Sequence, residues 1–257
     1  MRRMLKEKIQ GLISKTGYTL IHNHRLAQLK SLEHYKPRLD VWNEHLSRLL
    51  KHHAVDCILD VGAADGLFAR RLREDIGYKG WIFSFEPVPQ LAKALEKLAE
   101  GDDKWQVDCC AVGKASGKEP FNVMSTPGFS SFLTPLDDQL AKYSDSNRIN
   151  AQIEVEVRTV DQIWSQVKTS HGLNRLFLKN TAPGYEIVIL EGATACQPEM
   201  PLVQVNINFH PIHHGTPSYH DSISAYAKAG YKPSFILPDA YDHSYGIVEC
   251  LALFTHA

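Results

Sequence analysis

The sequence lacks an excess of either charge. Its 28 lysine and arginine residues stand against 29 aspartate and glutamate residues, which gives a net charge of −1 at pH 7. Such a balance provides no general attraction to nucleic acid or to an anionic membrane surface. No apolar run approaches the roughly 20 residues that a membrane-spanning helix needs, and no signal-peptide pattern with a cleavage site is present. We therefore expect no nucleic-acid partner, no transmembrane segment and a cytoplasmic location.

Cysteine is scarce and poorly placed for cross-links. The chain has five cysteines, of which Cys109 and Cys110 are adjacent, and this arrangement does not suit a disulfide framework. Reduced thiols in a cytoplasm are the simpler interpretation. Internal repeats and low-complexity segments are also absent, and 257 residues suffice for one well-packed domain with an appendage.

From Asp56 onward the sequence alternates between buried strands and amphipathic helices. The predicted strands are Cys57–Val61, Trp81–Phe85, Trp105–Val112, Leu176–Leu178 and Leu202–Phe209. The predicted helices are Gly66–Glu74, the segment after Pro87, Val160–Val167, Tyr185–Leu190 and Ser222–Lys228. This alternation predicts an α/β fold with a Rossmann-like, seven-stranded, mostly parallel sheet and helices on both faces.

Two stretches depart from this alternation. Around Thr126–Gly128 we expect a hairpin or an ordered loop, and the period-two pattern of Ile153–Val157 predicts an exposed or edge strand. At the end of the chain, Pro233–Leu237 and Ile247–Phe254 have no crossover helix between them. They therefore predict an antiparallel hairpin at one edge of the sheet.

The first part of the chain has a different character. Residues 1–53 are predicted to be a helical extension, with Trp42, Leu46, Leu49 and Leu50 on one helical face. This extension would act as a lid or as a packing segment, and residues 54–257 would form the main domain.

A glycine-bearing turn and an acid stand at the ends of the first two predicted strands. The turn is Gly62-Ala63-Ala64-Asp65-Gly66, and Glu86 follows the second strand. In a parallel sheet both lie on the same rim, where nucleoside-like ligands bind, and Glu86 can accept two hydrogen bonds from a ribose diol. Asp60 and Asp65 beside the turn would repel a pyrophosphate but attract a cationic amino-acid tail. This charge pattern favours S-adenosylmethionine (SAM) over a dinucleotide, although Asp65 can also be interpreted as an ordinary helix cap.

The order and spacing of short motifs resemble the FkbM-type methyltransferases over roughly residues 54–257. The matching pieces, in chain order, are Leu59–Ala63, Phe85–Pro87, Ala111–Gly113, Ser130–Ser131, Val155–Val157, Thr159–Asp161, Leu178–Lys179, Gly184–Glu186, Leu190–Ala193 and Leu253–Phe254. The resemblance implies SAM as cofactor and usually O-methylation of sugars or natural products.

The resemblance also implies which residues contact SAM. Asp60, Gly62 and Asp65 would line its methionine end, Glu86 would hold the ribose, and Asp108 with the Cys109 backbone would face adenine. Their neighbours Ala63, Gly66 and Pro87 complete the predicted cofactor site.

The chain departs from the family where the methyl acceptor is expected. Three positions that usually carry an acid are Thr181, Asn206 and Leu251, and a usual Gln/Glu position is Pro183. The loss of these acids argues against an acid-dependent base or a carboxylate metal site. It leaves open two alternatives: a SAM-using enzyme of non-methyl chemistry (aminocarboxypropyl transfer, cyclisation or lyase chemistry), or a catalytically silent SAM-binding protein.

The remaining candidates for catalysis lie at the same rim. His210, just beyond the strand ending at Phe209, is the predicted general base for a small-molecule acceptor, with Lys179 and Glu186 beside it. An ordinary loop histidine is an equal alternative. His210, His213, His214 and His220 could also bind zinc, but the prolines and glycine of the loop and the shortage of acids favour no metal. An aromatic wall for the sulfonium is a further possibility for Phe129, Phe132, Tyr143, Trp164 and Tyr219, which would more often belong to a core.

Overall fold

The computed structural model describes residues 39–138, 143–242, 244 and 246–256. By internal contacts the chain divides into two compact units, Met1–Trp42 and Asn43–Ala257. The second unit contains every strand of the described ranges, whereas most of the first, and with it most of the predicted 1–53 extension, lies outside the described residues. The predicted boundary between residues 53 and 54 stays a prediction.

The described residues contain ten strands and six α-helices. The strands are β1 (Cys57–Val61), β2 (Trp81–Phe85), β3 (Trp105–Asp108), β4 (Ala111–Gly113), β5 (Gly117–Met124), β6 (Ile149–Thr159), β7 (Leu176–Asn180), β8 (Leu202–Asn208), β9 (Tyr231–Asp242) and β10 (Gly246–His256). The helices are α1 (39–52), α2 (Leu67–Glu74), α3 (Pro89–Ala99), α4 (Val160–His171), α5 (Glu186–Glu191) and α6 (Tyr219–Lys228), with 3-10 turns at Pro127–Phe129 and Gln197–Glu199.

The larger sheet has seven strands in the order β3-β2-β1-β7-β8-β10-β9. Neighbours from β3 to β8 are parallel, whereas β10 is antiparallel to both β8 and β9. The carboxyl ends of β1, β2, β3, β7 and β8 therefore share one rim with the start of β10. This arrangement confirms the predicted Rossmann-like α/β fold and its C-terminal antiparallel hairpin.

Helices pack on both faces of this sheet, because successive side chains of a strand point to opposite faces. Leu176 and Leu178 belong to the core that includes Trp164 of α4 and Tyr226 of α6. Phe177, between them, turns to the other face and meets Phe68 of α2 with ring centroids 6.2 Å apart. All three leucine and phenylalanine side chains of β7 are fully buried, as expected for a strand covered on both sides.

A second, three-stranded sheet in the order β4-β6-β5 corrects two of the strand predictions. The predicted strand Trp105–Val112 is two strands in different sheets, because the chain turns at Asp108, whose carbonyl accepts the Cys110 N–H. The predicted edge strand Ile153–Val157 is the centre of the small sheet. Its alternating pattern arises because Val155 and Val157 are buried, whereas Glu154 and Glu156 face solvent.

The segment around Thr126–Gly128 is an ordered loop rather than a hairpin. Strand β5 pairs along its length with β6, and only a single bridge joins Asn122 to Ser131 beyond the turn. The loop therefore projects from the small sheet toward the rim of the larger one.

Candidate functional site

A cavity lies at the carboxyl ends of β1, β2 and β7, with the small sheet and its loop as the opposite wall. Its empty volume is about 540 Å³, including space open to solvent. The lining residues are Val61, Gly62, Ala64, Phe85, Glu86, Pro87, Cys110, Ala111, Val112, Phe121, Pro127, Gly128, Ser130, Ser131, Phe132, Thr181, Ala182, Pro183 and Tyr185. Of the predicted cofactor residues, Gly62, Glu86 and Pro87 are among them.

The turn after β1 approaches two other strands closely. The N–H groups of Gly62 and Ala63 both donate to the Phe85 carbonyl at the end of β2, at 3.1 and 3.2 Å. Gly62 has φ +71°, and a Cβ there would lie 2.8 Å from the Thr181 carbonyl oxygen. Only glycine combines this backbone conformation with this approach, so the sequence signal at Gly62 has a clear structural cause.

Glu86 joins this turn to the segment after β2. Its carboxylate accepts the Ala64 N–H at 2.9 Å and the Val88 N–H at 3.0 Å. Burial raises the pKa of Glu86, an effect that these two backbone hydrogen bonds oppose. A carboxylate offers about four acceptor positions, so Glu86 retains capacity for a ligand in the cavity that it lines. Its contact with a ribose stays a prediction.

Asp60 and Lys179 form a buried ion pair beneath the turn. Lys179 Nζ lies 2.8 Å from Asp60 Oδ1 and also donates to the carbonyls of Val61 and Gly62. Neither Asp60 nor Lys179 is among the described residues that line the cavity. Both side chains lie beneath the turn rather than on the described cavity wall, and their predicted roles in SAM binding and catalysis stay predictions.

Asp65, Gly66 and Ala63 shape the start of α2. Asp65 is exposed, and its Oδ1 accepts the Leu67 N–H at 3.1 Å; this is a local turn contact, because the N-cap of α2 is Gly66 and has no side-chain cap hydrogen bond. Gly66 adopts φ +75° and its position faces Leu95, while Ala63 is buried. With Asp60 paired and Asp65 in solvent, the charge argument that favoured a cationic ligand is not supported by the placement of these two acids.

Neither residue of the predicted adenine side is among the described residues that line the cavity, so their contact with adenine stays a prediction. Asp108 is exposed and pairs with Arg158 at 3.2 Å, and Cys109 is exposed as well. The cavity is lined instead by Cys110, Ala111 and Val112. Sequence reasoning misses these apolar residues because it predicts one strand over Trp105–Val112 and therefore no turn that presents them to the cavity.

Three aromatic rings form one wall of the cavity. Phe132 lies between Phe121 and Tyr185, with ring centroids 5.0 and 4.7 Å apart, and all three line the cavity. Of the predicted aromatic candidates only Phe132 lies here. Trp164 is in the core, Phe129 pairs with Tyr143, and Tyr219 stacks on Phe209.

The predicted catalytic residues lie further along the rim. Glu186 begins α5 and is buried, which raises its pKa well above the usual range. His210 follows β8, and its N–H donates to the Val248 carbonyl at 3.2 Å. Neither is among the described residues lining the cavity, so their catalytic roles stay predictions.

Next to His210, the structure reveals an acid that the sequence interpretation missed. Glu249 on β10 accepts a hydrogen bond from Asn206 Nδ2 at 3.1 Å. Burial, together with the charge of Asp239, raises the pKa of Glu249 to about 7. Asn206 lies opposite Leu251 in the β8–β10 ladder, and Glu249 lies opposite Asn208. Knowledge of this register would have been needed to find Glu249, because nothing local in the sequence marks it.

The histidines of the loop after β8 are not gathered around one point. His213 is buried, which lowers its pKa to about 4, and its ring contacts the Phe129 carbonyl at 3.1 Å. His220 is largely exposed. Over residues 39–138, 143–242, 244 and 246–256, no group of three or more His, Cys, Asp or Glu side chains could hold a metal ion. Within the same ranges, no helix is long and apolar enough to cross a membrane.

The chain is similar to known methyltransferases in sequence. Residues 60–233 match the profile of the family described as the methyltransferase FkbM domain. No protein of curated function matches significantly.

The chain also matches solved structures at low identity. A methyltransferase FkbM from Methylobacillus flagellatus KT is 14% identical, with a TM-score of 0.49 over 79% of this chain and 44% of that one. Aeropyrum pernix fibrillarin with bound SAM is 11% identical, with a TM-score of 0.42 over 78% and 66%. The magnesium protoporphyrin IX methyltransferase of Synechocystis PCC 6803 with bound SAM is 6% identical, with a TM-score of 0.45 over 87% and 82%. This chain thus spans less than half of the first of these proteins.

Proposed function

The chain belongs to the FkbM methyltransferase family, and on that basis we propose that it transfers a methyl group from SAM to a hydroxyl oxygen of a small metabolite or sugar. The observation that carries the cofactor assignment is Glu86, a buried carboxylate on the wall of a cavity at the carboxyl ends of β1 and β2. Ligands of open parallel sheets bind at this rim.

The residues at the cavity suit the two ends of an adenosyl group. Glu86 offers acceptor positions for a ribose diol, and Ala111, Val112 and Phe121 provide an apolar surface for a base. The aromatic wall of Phe121, Phe132 and Tyr185 suits a cation by cation–π attraction. SAM, when bound, supplies an electrophilic methyl group on a sulfonium.

The protein's own contribution to the reaction is alignment and proton removal. Correct placement of two reactants can supply up to about 7–11 kcal/mol of a barrier, and an oxygen nucleophile also needs a base near its proton. His210 is our candidate base. Glu249 is a second group at the same rim, since the carbonyl of the adjacent Val248 accepts the His210 N–H. Thr181 occupies a lining position that usually carries an acid in the family, so the acceptor proton must leave by another route.

The predicted division of the chain belongs to this proposal. We infer that residues 54–257 carry the SAM-binding methyltransferase domain and that residues 1–53 act as a lid or packing segment. The acceptor then lies between the rim and the loop that projects from the small sheet.

The test is incubation with methyl-labelled SAM and a panel of small hydroxylated acceptors that includes methyl glycosides and catechols. We expect label in a methyl ether and one equivalent of S-adenosylhomocysteine (SAH). Formation of methylthioadenosine would instead indicate transfer of the aminocarboxypropyl group or lyase chemistry. Tight SAM binding without consumption by any acceptor would contradict the enzymatic proposal.

A further inference from the structure

We propose that Lys179 is a positioning residue, whose buried ammonium group holds the turn after β1 in the shape that receives SAM. This inference rests on the proposed function, because it assumes that the turn after β1 binds SAM. It assigns Lys179 a task other than the catalytic one expected from the sequence.

The ammonium group is enclosed by protein oxygens, two of them hydrogen-bond acceptors and the third its ion-pair partner. Lys179 Nζ lies 2.8 Å from Asp60 Oδ1, 3.2 Å from the Val61 carbonyl oxygen and 2.8 Å from the Gly62 carbonyl oxygen. An ammonium group has three donors, and three oxygens surround this one. The Lys179 side chain is only 7% exposed, so water does not compete for these donors.

Two of the three acceptors belong to the turn that lines the cavity. Val61 and Gly62 both contribute to the cavity wall, and their carbonyl groups accept from Lys179. A shift of Nζ would therefore shift the turn backbone. The Gly62 N–H, which donates to the Phe85 carbonyl, is part of that backbone. The lysine also passes over the Phe68 ring of α2, with Nζ 5.6 Å from the ring centroid, so it contacts both sides of the turn.

The ion pair is part of a polar chain that crosses four strands. Asp60 Oδ2 accepts a hydrogen bond from Ser84 Oγ at 3.2 Å, and Ser84 Oγ accepts one from Trp105 Nε1 at 3.0 Å. Lys179 on β7, Asp60 on β1 and Ser84 on β2 are direct neighbours in the sheet register, and Trp105 lies on β3. Four strands thus fix the orientation of the Asp60 carboxylate, and Asp60 in turn fixes the ammonium group.

A second ion pair, at the amino ends of the strands, serves as a control. It distinguishes a specific effect on SAH binding from a general loss of stability. Arg73 pairs with Asp102 at 2.7 Å and donates to the carbonyls of Tyr78 and Gly80. This pair also clamps backbone carbonyls, but it lies near the start of β2 and β3, away from the cavity. Loss of Arg73 should lower the thermal midpoint and leave the affinity for SAH unchanged.

The experiment compares Lys179→Met, the double variant Asp60→Asn/Lys179→Met, and Arg73→Met with the wild type. For each, calorimetry measures the affinity for SAH and a thermal scan measures the unfolding midpoint. We expect Lys179→Met to bind SAH at least about tenfold more weakly, equivalent to about 1.4 kcal/mol. The double variant removes the unpaired buried charge and should regain thermal stability, but it should remain weak toward SAH because Val61 and Gly62 still lack their donor.

The outcomes separate this inference from the proposed function. Should the wild type give no heat with SAH, the proposed function fails and the inference fails with it. If the wild type binds SAH and Lys179→Met binds it equally well, only the inference is overturned. Recovery of SAH affinity together with stability in the double variant would also overturn it, because charge balance alone would then explain the effect of Lys179. If Lys179→Met does not fold, the double variant carries the same comparison.

Discussion

Asp60 and Glu86 are both acids at the carboxyl end of a buried strand, yet the fold gives them different tasks. Glu86 lines the cavity and accepts two backbone N–H groups, whereas Asp60 is fully buried in an ion pair with Lys179. Their positions at one rim could be predicted from strand and turn patterns. The direction of each carboxylate could not, because it depends on a lysine from a strand distant in sequence and on the direction in which the chain leaves each strand.

Glu249 carries a stability prediction that depends on pH. Its pKa, about 7 in the folded protein, lies above that of an unfolded glutamate, so the folded state favours the neutral acid. Stability is therefore fully retained below about pH 4.3 and declines until pH 7, above which no further loss occurs. Glu249→Gln stays neutral and can still accept from Asn206, so it should be more stable than the wild type by about 1–3 kcal/mol at pH 8.

Urea unfolding of wild type and Glu249→Gln at pH 5 and pH 8 measures this difference. The control is Glu154→Gln, because the Glu154 side chain is 68% exposed. The stability difference between this variant and the wild type should be the same at both pH values. If the free energies of unfolding of wild type and Glu249→Gln differ by the same amount at both pH values, the raised pKa of Glu249 is refuted.

At the scale of elements, the main sheet followed from the sequence, and the small sheet did not. Strands β1, β2, β7 and β8 are rich in apolar residues and largely buried, as expected of strands covered on both faces. Strand β6 alternates because one face of the small sheet meets solvent, and this alternation is the same for a central strand and for an edge strand. Position within a sheet is set by long-range pairing, which periodicity does not contain.

The small sheet and its loop supply two of the three rings of the aromatic wall, and this wall leads to a prediction about charge. Phe132 lies between Phe121 and Tyr185 at the cavity. If the wall faces the sulfonium, Phe132→Leu should weaken SAM binding more than SAH binding, since SAH lacks the positive charge. Cation–π contacts contribute about 0.5–2 kcal/mol, so the ratio of the two affinities should change by about 2- to 30-fold.

Calorimetric titration of both ligands into Phe132→Leu and Phe129→Leu checks this expectation. Phe129 is the matched control because its ring pairs with Tyr143 and it is not among the described residues that line the cavity. Equal losses for SAM and SAH in Phe132→Leu would show that the ring packs against a neutral part of the ligand.

At the scale of the molecule, the boundary of the domain has a measurable consequence. Helix α1 buries Leu46 and Leu50, which belong to the same compact unit as the sheet. A chain that begins at residue 54 loses both side chains, whereas one that begins at residue 43 retains them. Because burial of one leucine contributes about 1.5–3 kcal/mol, the 54–257 chain should be less stable than the 43–257 chain by about 3 kcal/mol or more.

Denaturant midpoints of the two truncated chains provide the measurement. Equal midpoints would place the functional boundary at residue 54, as the sequence predicts, and would show that α1 adds nothing to the stability of the fold. A substitution of exposed Glu44 in the longer chain serves as the control for a change in α1 that leaves its buried face intact.

The main sheet, and the places of Gly62 and Glu86 at its rim, could be predicted because glycine turns and buried strands are local features. The aromatic wall and Glu249 could not, because Phe121, Tyr185 and Glu249 come from elements joined only by tertiary pairing. Local sequence also predicted His210 as a base from its place beyond β8, and the structure adds Glu249 on the neighbouring strand β10.

The most direct test of the central claim is calorimetric titration of SAM and SAH into the wild type and into Glu86→Ala, with Glu74→Ala as the control. Glu74 is an exposed acid paired with Arg70 on α2, so its loss should leave both affinities unchanged. We expect saturable binding of one equivalent by the wild type and a loss of about 1.5–3 kcal/mol in Glu86→Ala, as for a hydrogen bond to a charged group. Absence of heat in the wild type, or affinity in Glu86→Ala equal to that of the wild type, would contradict the assignment of this cavity to SAM.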